Sequence, residues 1–128
     1  MRRVVFLVLL SMLGALIFAS AALAITKTCR SSPCFGTAQD DTLTERRGVK
    51  DVIYGLGGDD TIRAGLKDRT PQDKDILRGG SGNDRLNSVD LAPGDVLYGG
   101  TGRDVCLIDS GERHYGCEVV DVRSVTAD

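Results

Sequence analysis

The sequence predicts an all-β protein, a two-edged parallel solenoid made of short repeats. Glycine-rich turns closed by an aspartate recur at residues 55–60, 79–84 and 99–104. Each turn is followed by a three-residue segment with an apolar residue at its centre, and the repeat length varies only in alternate units. Self-similarity at a fixed short period is the signature of solenoids, in which each unit stacks on its neighbours.

The repeat is the nonapeptide G-G-x-G-x-D-x-U-x, in which U is apolar. With the sixth position set on an aspartate, seven units cover residues 36–107. The odd-numbered units all have nine residues and span 36–44, 55–63, 79–87 and 99–107. The even-numbered units have 10, 15 and 11 residues and span 45–54, 64–78 and 88–98. Insertions in solenoids map to loops on one face, so one edge is built from invariant turns and the other accepts loops.

The strand of each unit is the segment centred on U. Neighbours of U point to the opposite face of a strand, so the U residues form the core: Leu43, Ile53, Ile62, Leu77, Leu86, Leu97 and Cys106. We expect the odd units to stack as one sheet and the even units as the other. About three and a half right-handed coils result, with ends closed by disulfides.

The turns have the composition of a calcium site. Glycines at positions 1, 2 and 4 allow positive φ, so that backbone carbonyls can face an ion. Calcium takes six to eight oxygen ligands, which one turn does not supply, so two stacked turns share each ion. The odd-edge aspartates predict three inter-turn sites, Asp41/Asp60, Asp60/Asp84 and Asp84/Asp104. The remaining candidate ligand-turn residues are Gly55, Gly57, Gly58, Asp59, Gly79, Gly80, Gly82, Asn83, Gly99, Gly100 and Gly102.

Some turns depart from this pattern. Thr37 and Gln39 replace glycines in the first unit, and Leu56 stands at the second position of the third. The even edge keeps aspartates but lacks the glycine scaffold, so calcium there is a weaker expectation, and turn capping by local hydrogen bonds is the alternative. The even-edge aspartates are Asp51, Asp75 and Asp95.

Residues 36–107 resemble the RTX, or hemolysin-type, calcium-binding repeat proteins, since two turns match the nonapeptide fully. The resemblance implies a parallel β-roll with calcium between stacked turns. Because the apolar core is small and stacked aspartates repel one another, we expect calcium binding to drive folding. Extracellular calcium modules bind in the range of about 10⁻⁴–10⁻³ M, so the chain would fold outside the cell.

Residues 1–24 read as a secretory signal peptide. Arg2 and Arg3 precede an apolar run, and Ala22-Leu23-Ala24 has the small residues of a cleavage site. An uncleaved membrane anchor is the alternative. The remaining segments are an N-terminal cap over residues 25–35, the repeats over 36–107, and a C-terminal cap and tail over 108–128.

The cysteines and the charge fit a secreted protein. Four cysteines in an exported chain imply disulfides, for which three connectivities are possible. The pairs Cys29–Cys34 and Cys106–Cys117 are favoured, because each pair flanks one end of the repeats. A zinc site formed by these thiols and the single histidine, His114, is the alternative.

The charge of the chain limits its partners. The net charge of −2 argues against nucleic acid or an anionic membrane as the main partner. Fifteen of the 18 acidic residues are aspartates, which suit turns and oxygen ligation.

The caps and the outer faces complete the prediction. We expect Phe35 to cover one end of the core, residues 108–116 to fold over the other, and residues 119–122 to complete the even sheet. The even sheet has an apolar outer face formed by Val52, Tyr54, Ile76, Val96 and Tyr98. Ordinary β-propensity and aromatic ladders explain it, and a partner or self-association surface is the alternative.

The motifs argue against an enzyme. Residues 79–83 end in Asn83 and therefore do not form G-x-S-x-G, and no Gly-Lys-Ser/Thr phosphate loop occurs. The sequence thus predicts a secreted, non-enzymatic calcium-binding protein. The alternative is an adhesion or interaction module in which calcium is purely structural.

Overall fold

The computed structural model describes residues 23–45, 50–64 and 74–123, which form eleven β-strands. The predicted signal peptide up to residue 22 and the insertion at 67–72 lie outside the described residues, as do residues 46–49 of the first even turn. Within the described ranges, no helix has the length and apolarity needed to cross a membrane. The strands are β1 Thr26–Thr28, β2 Cys34–Phe35, β3 Thr42–Thr44, β4 Val52–Gly57, β5 Thr61–Arg63, β6 Ile76–Ser81, β7 Arg85–Asn87, β8 Val96–Thr101, β9 Val105–Asp109, β10 Arg113–Tyr115 and β11 Val119–Arg123.

The strands form two parallel sheets that the chain visits in alternation. The odd sheet has the order β1-β3-β5-β7-β9-β11, and the even sheet has the order β10-β8-β6-β4-β2. Every described strand pairing is parallel. The predicted separation of odd and even units is therefore confirmed, and the fold is a parallel β-roll.

The core is a column of apolar side chains between the sheets. All seven U residues have 0% exposure, and those of adjacent coils are register partners, as Ile62 is of Leu86 and Leu77 is of Leu97. The residues beside each U point outward, because side chains alternate along a strand. The nonapeptide register thus identifies which residue of every repeat is buried.

The sheets continue past both ends of the predicted repeats. At the start, Thr26–Thr28 pairs with β3, and Cys34–Phe35 pairs with β4. At the other end, Arg113–Tyr115 pairs with β8, and Val119–Arg123 pairs with β9. Each end of the roll is therefore covered by further coil, and residues 108–116 form part of that coil instead of a lid.

Two further expectations about the ends are also wrong. Residues 119–122 belong to the odd sheet, because β10 already occupies the next place in the even sheet and the chain then crosses back. Phe35 does not cover the core, since Cys34 is the register partner of the buried Ile53 and takes the inward position. Phe35 instead points outward, is 47% exposed and stacks on Tyr54.

Two disulfides close the ends of the roll. Cys29 is bonded to Cys34, and Cys106 to Cys117, which are the local pairs favoured from the sequence. Cys29, Cys34 and Cys106 are buried in the hydrophobic cluster, and Cys117 packs against it. The sulfurs therefore add to the core where the apolar column ends, and they are not available to bind zinc.

A continuous stack of flat side chains crosses the outer face of the even sheet. The ring centroids of Phe35 and Tyr54 are 5.0 Å apart, and those of Tyr98 and Tyr115 are 5.1 Å apart. The guanidinium carbon of Arg78 lies between these pairs, 5.8 Å from the Tyr54 ring centroid and 4.2 Å from that of Tyr98. Adjacent coils are thereby tied together outside the core by stacking and cation–π contacts.

Candidate metal centre

The glycines at positions 2 and 4 of the odd-edge turns adopt backbone conformations that side chains disfavour. φ is 124° at Gly80 and Gly100, 126° at Gly82 and 135° at Gly102. Leu56 occupies position 2 of the preceding turn with φ of 87°, although it carries a side chain. The backbone path is therefore maintained in all three turns, even where the sequence departs from glycine.

The glycine at position 1 is required by close approach and not by its φ. A Cβ on Gly79 would clash with the Asp84 carboxylate and come within 2.6 Å of the Gly99 carbonyl oxygen. A Cβ on Gly55 would likewise meet the Asp60 carboxylate and the Gly79 carbonyl oxygen. The missing side chain thus leaves space where an aspartate oxygen and a carbonyl oxygen from the next coil lie close together.

The sixth-position aspartates form a ladder along the odd edge. The Asp41 N–H donates to Oδ1 of Asp60 at 2.8 Å, the Asp60 N–H to Oδ1 of Asp84 at 2.9 Å, and the Asp84 N–H to Oδ1 of Asp104 at 2.8 Å. Glu118 ends the ladder by accepting from the Asp104 N–H. Each carboxylate is consequently held by one of its two oxygens to the preceding coil.

The second oxygen of these carboxylates is buried and has no hydrogen-bond partner. This is the case for Oδ2 of Asp60, Asp84 and Asp104, three residues that are at most 1% exposed. Burying a carboxylate oxygen without a donor or a cation is costly. A hard cation beside these oxygens would satisfy them, so the chemistry of this edge fits calcium.

The pKa values of these carboxyls reflect the same environment. Burial raises the pKa of Asp60 to about 6, with further contributions from the charges of Asp84 and Asp41. Burial also raises the pKa of Asp84 to about 6 and that of Asp104 above its ordinary value, and the next carboxylate of the ladder adds to each shift. Hydrogen bonds from backbone N–H groups oppose these shifts but do not cancel them.

A second ladder runs along the exposed rim of the same edge. The Asp59 N–H donates to Asp40, the Asn83 N–H to Asp59, and the Arg103 N–H to Oδ1 of Asn83. These bonds run from each coil back to the previous one, opposite in direction to the buried ladder. The two ladders together fix the spacing of adjacent turns, which a shared ion requires.

The first turn differs from the other three. Both oxygens of Asp41 already accept hydrogen bonds: Oδ1 from the Ile25 N–H and the Thr37 hydroxyl, and Oδ2 from the Thr37 N–H. The Gln39 N–H in turn donates to the Thr37 hydroxyl. The amide and the hydroxyl of Thr37 thus close this turn with protein donors, at the position where the last two odd-edge turns have Gly80 and Gly100.

The even edge carries a ladder of its own. The Asp51 N–H donates to Oδ1 of Asp75 at 2.7 Å, and the Asp75 N–H donates to Oδ1 of Asp95 at 2.8 Å. These aspartates therefore join adjacent coils and do more than cap their own turns. Asp95 is fully buried, and burial together with the charges of Glu112, Asp75 and Asp90 raises its pKa to about 8.

One acidic cluster was missed by the sequence reasoning. Asp90, Asp109 and Glu112 are buried, and each presents a carboxylate oxygen within 4.8 Å of those of the other two. Asp90 lies in the even-edge loop that follows β7, whereas Asp109 and Glu112 lie where the chain leaves β9 for β10. The only signal in the sequence was the register, which places Glu112 directly before β10, as Asp95 is placed before β8.

Comparison with protein families agrees with this geometry. A family model described as the RTX calcium-binding nonapeptide repeat matches residues 50–66, 72–88 and 94–111, with four copies. The chain contains RTX calcium-binding repeats. Each matched segment includes one of the aspartates Asp60, Asp84 and Asp104, whereas the first turn at residues 36–41 lies outside the match. No curated protein and no solved structure matches the chain.

The RTX repeats make calcium the expected ligand of the chain, and they are structural rather than catalytic repeats. His114, the histidine considered in the sequence analysis, is exposed on β10. Of the predicted residues, the structure brings together Asp60, Asp84 and Asp104 with the glycines of their turns, where Leu56 takes position 2 in the turn of Asp60. It places Asn83 and Asp59 in the outer ladder and Asp41 in a turn that is already hydrogen-bonded.

Proposed function

We propose that this chain is a secreted, non-enzymatic calcium-binding protein whose odd edge holds Ca²⁺ between stacked turns and whose folding depends on that binding. One observation carries the proposal. In three successive coils, a buried aspartate Oδ2 without a hydrogen-bond partner lies in the space left by a position-1 glycine. Carboxylate and carbonyl oxygens are the ligands that calcium prefers.

The proposed sites are those between Asp60 and Asp84 and between Asp84 and Asp104. Carbonyl oxygens of the neighbouring turns complete the ligand set, and the ion offsets the repulsion between stacked carboxylates. We expect weaker binding between Asp41 and Asp60, because the Asp41 oxygens accept protein hydrogen bonds. The even-edge aspartates, which form a ladder without the glycine turns, are secondary candidates.

We propose that folding depends on calcium because the apolar core is small and many carboxylates are buried beside it. The U column contributes one apolar residue per strand, and it runs between two columns of buried acids. In low calcium these acids repel, and in the millimolar calcium outside cells they would be neutralised. The apolar stretch at residues 4–18 and the two disulfides support export of the chain.

Calcium titration of the full chain tests the proposal. Far-UV circular dichroism in EGTA should show a largely unfolded chain, and millimolar calcium should restore the β spectrum. Calorimetry in the same buffer gives the number of ions bound and the heat of coupled folding. A β spectrum that is the same with and without calcium would show that folding does not depend on the metal, and the absence of binding heat would overturn calcium binding itself.

A second candidate function is an interaction module in which calcium is purely structural. The observation that favours it is a groove on the even sheet beside the metal edge, lined by Tyr54, Leu56, Arg78 and Tyr98. Leu56 is 50% exposed there. Light scattering at increasing concentration tests self-association, which Val52→Lys or Val96→Lys should abolish if the even face mediates it.

A further inference from the structure

We propose that Asp90, Asp109 and Glu112, together with Asp95, form a separate calcium site at the C-terminal part of the even edge. Asp90 and Asp109 do not stand at the position of a turn aspartate; Glu112 takes the register place of Asp95 in the next coil, but its turn lacks the glycine pattern. The proposal does not depend on the odd-edge sites. The site joins the loop after β7 to the crossover between β9 and β10. It would therefore fix an irregular loop onto the last coils of the roll.

The loop is shaped around the Asp109 carboxylate. Oδ2 of Asp109 accepts from the Asp90 N–H at 2.9 Å and from the Leu91 N–H at 2.7 Å. Leu91 adopts a φ of 83°, and the Ala92 N–H donates back to Oδ1 of Asp90. These contacts hold the Asp90 and Asp109 side chains together in the interior, where Asp90 is 2% and Asp109 is 6% exposed.

Glu112 is held in the same way from the other side. Its Oε2 accepts from the Ser88 hydroxyl at 2.5 Å and from the Asp109 N–H at 3.1 Å. Ser88 is completely buried, and Glu112 is 9% exposed. The hydroxyl and the amide therefore orient the carboxylate, as the backbone N–H groups orient the aspartates of the odd edge.

The carboxylate oxygens that accept no hydrogen bond indicate that this cluster binds a cation. Oδ1 of Asp109, Oε1 of Glu112 and Oδ2 of Asp95 are buried and have no hydrogen-bond partner. Asp95 belongs to the even ladder and not to the loop, and the Arg113 N–H donates to its carbonyl oxygen at 3.2 Å, so that Asp95 lies one coil before Glu112 on the same edge. Three independent elements thus direct carboxylates toward one region, and no ion pair to Asp95, Asp109 or Glu112 occurs within the described part of the chain.

The donor set selects a hard divalent cation, because every ligand atom is a carboxylate oxygen. Burial favours Ca²⁺ over Mg²⁺, since Mg²⁺ usually retains several waters and calcium accepts a larger number of protein oxygens. A cation at this place would also offset the repulsion among the buried carboxylates, which lie within 4.8 Å of one another.

Glu112→Gln tests the site in the full chain. The glutamine keeps an oxygen for the Ser88 hydroxyl and the Asp109 amide but removes one charged ligand. Asp121→Asn is the matched control, since Asp121 is an acid of β11 whose carboxylate pairs with the exposed Arg123. Equilibrium dialysis with calcium should show that Glu112→Gln binds one equivalent fewer, or binds it at least tenfold more weakly, than wild type and Asp121→Asn.

An unchanged number of bound ions with unchanged affinities in Glu112→Gln would overturn the proposal.

Paramagnetic mapping of the wild-type chain tests the site even if the Glu112→Gln variant does not fold. Gd³⁺ added in small amounts to the calcium-loaded wild-type chain should broaden the amide signals of Asp90 and Glu112 as well as those of the odd edge. Broadening confined to the odd edge would reject this site while leaving the proposed function intact. Excess Mg²⁺ that displaces the ion would assign the site to magnesium and overturn its selectivity for calcium.

Discussion

At the scale of single residues, the two kinds of glycine in an odd-edge turn have different physical roles. Gly80, Gly82, Gly100 and Gly102 combine a positive φ with a close approach to the preceding coil, because a Cβ at each would clash with a carbonyl oxygen of that coil. The position-1 glycines have no positive φ, but they leave space beside the aspartate carboxylate of their own turn, with which a Cβ would clash. We therefore expect substitutions at the two kinds of position to have different effects on calcium binding.

Gly79→Ala compared with Gly111→Ala separates these roles. The Gly79 Cβ would meet the Asp84 carboxylate and the Gly99 carbonyl, whereas Gly111 has a φ of 99° but its nearest Cβ neighbour is Pro93 at 4.0 Å. Gly111→Ala should cost about 1 kcal/mol through backbone strain alone. Gly79→Ala should cost about 2 kcal/mol or more and also weaken calcium binding. Urea unfolding in saturating calcium and calcium titration measure both effects. Because Gly111 lies between Asp109 and Glu112 and not in an odd-edge turn, equal loss of calcium affinity at the odd-edge sites in the two variants would refute the distinction.

Asp84→Asn should be the most damaging isosteric change on the odd edge. Asp84 is common to both proposed sites, and asparagine keeps an oxygen for the Asp60 N–H. The loss of a charged ligand should reduce calcium affinity at least about tenfold, or about 1.4 kcal/mol. Asp41→Asn is the control, because both Asp41 oxygens already accept hydrogen bonds. Calorimetry should show wild-type affinity at the two stronger sites in Asp41→Asn, and a comparable loss at these sites in both variants would contradict the special role of Asp84.

At the scale of elements, the roll is two columns of buried carboxylates on either side of an apolar column. The hydrogen-bond ladders align the carboxylates from coil to coil, so their like charges add along each edge. Calcium and protons are the two neutralising agents available. The stability of strand pairing at each edge should therefore depend on the calcium concentration and on the pH.

The pH dependence of the metal-free chain follows from this coupling. The pKa is raised to about 6 in Asp60 and Asp84, to about 7 in Glu112 and to about 8 in Asp95. A group whose pKa is higher in the folded state binds protons more tightly there, so its contribution is fully present below the unfolded pKa and is lost as the pH rises through the folded pKa. In EGTA, the β-signal should therefore increase from pH 8 toward pH 4, while the affinity for calcium decreases. Circular dichroism across this range is the measurement, and a β-signal that declines on acidification would contradict the pKa shifts.

The strands that could be predicted from the sequence are those that follow a recognisable nonapeptide turn. The nonapeptide register located all seven buried U residues, because the turn glycines and the alternation of a strand act within nine residues. Strands β1 and β10 were not predicted, because Lys27 and His114 stand where an apolar residue is expected and no G-G-x-G-x-D turn precedes either strand. The Asp90 cluster depends on the loop conformation at Leu91 and on residues about twenty positions apart, so no short pattern encodes it.

At the scale of the whole molecule, each described strand pairs only with strands of the coils before and after it, as in other repeat architectures. Stability is then approximately a sum of coil and interface contributions, and damage to one end should remain local. The disulfides lie at the two ends, where a coil has a single neighbour. Their position suggests that they compensate for the contacts that terminal coils lack.

Removal of the Cys106–Cys117 disulfide should therefore loosen one end of the roll and leave the rest intact. The bond closes a loop with a sequence separation of 11, and the loss of such a cross-link costs about 3 kcal/mol. In the calcium-loaded Cys106→Ala/Cys117→Ala variant, hydrogen exchange should accelerate in β9, β10 and β11, while β4 and β5 remain protected. Leu77→Ala is the comparison, because its cavity lies at the centre of the U column, where Leu77 has register partners on both sides. Equal acceleration in all strands of the disulfide variant would show that the roll unfolds as a single cooperative unit.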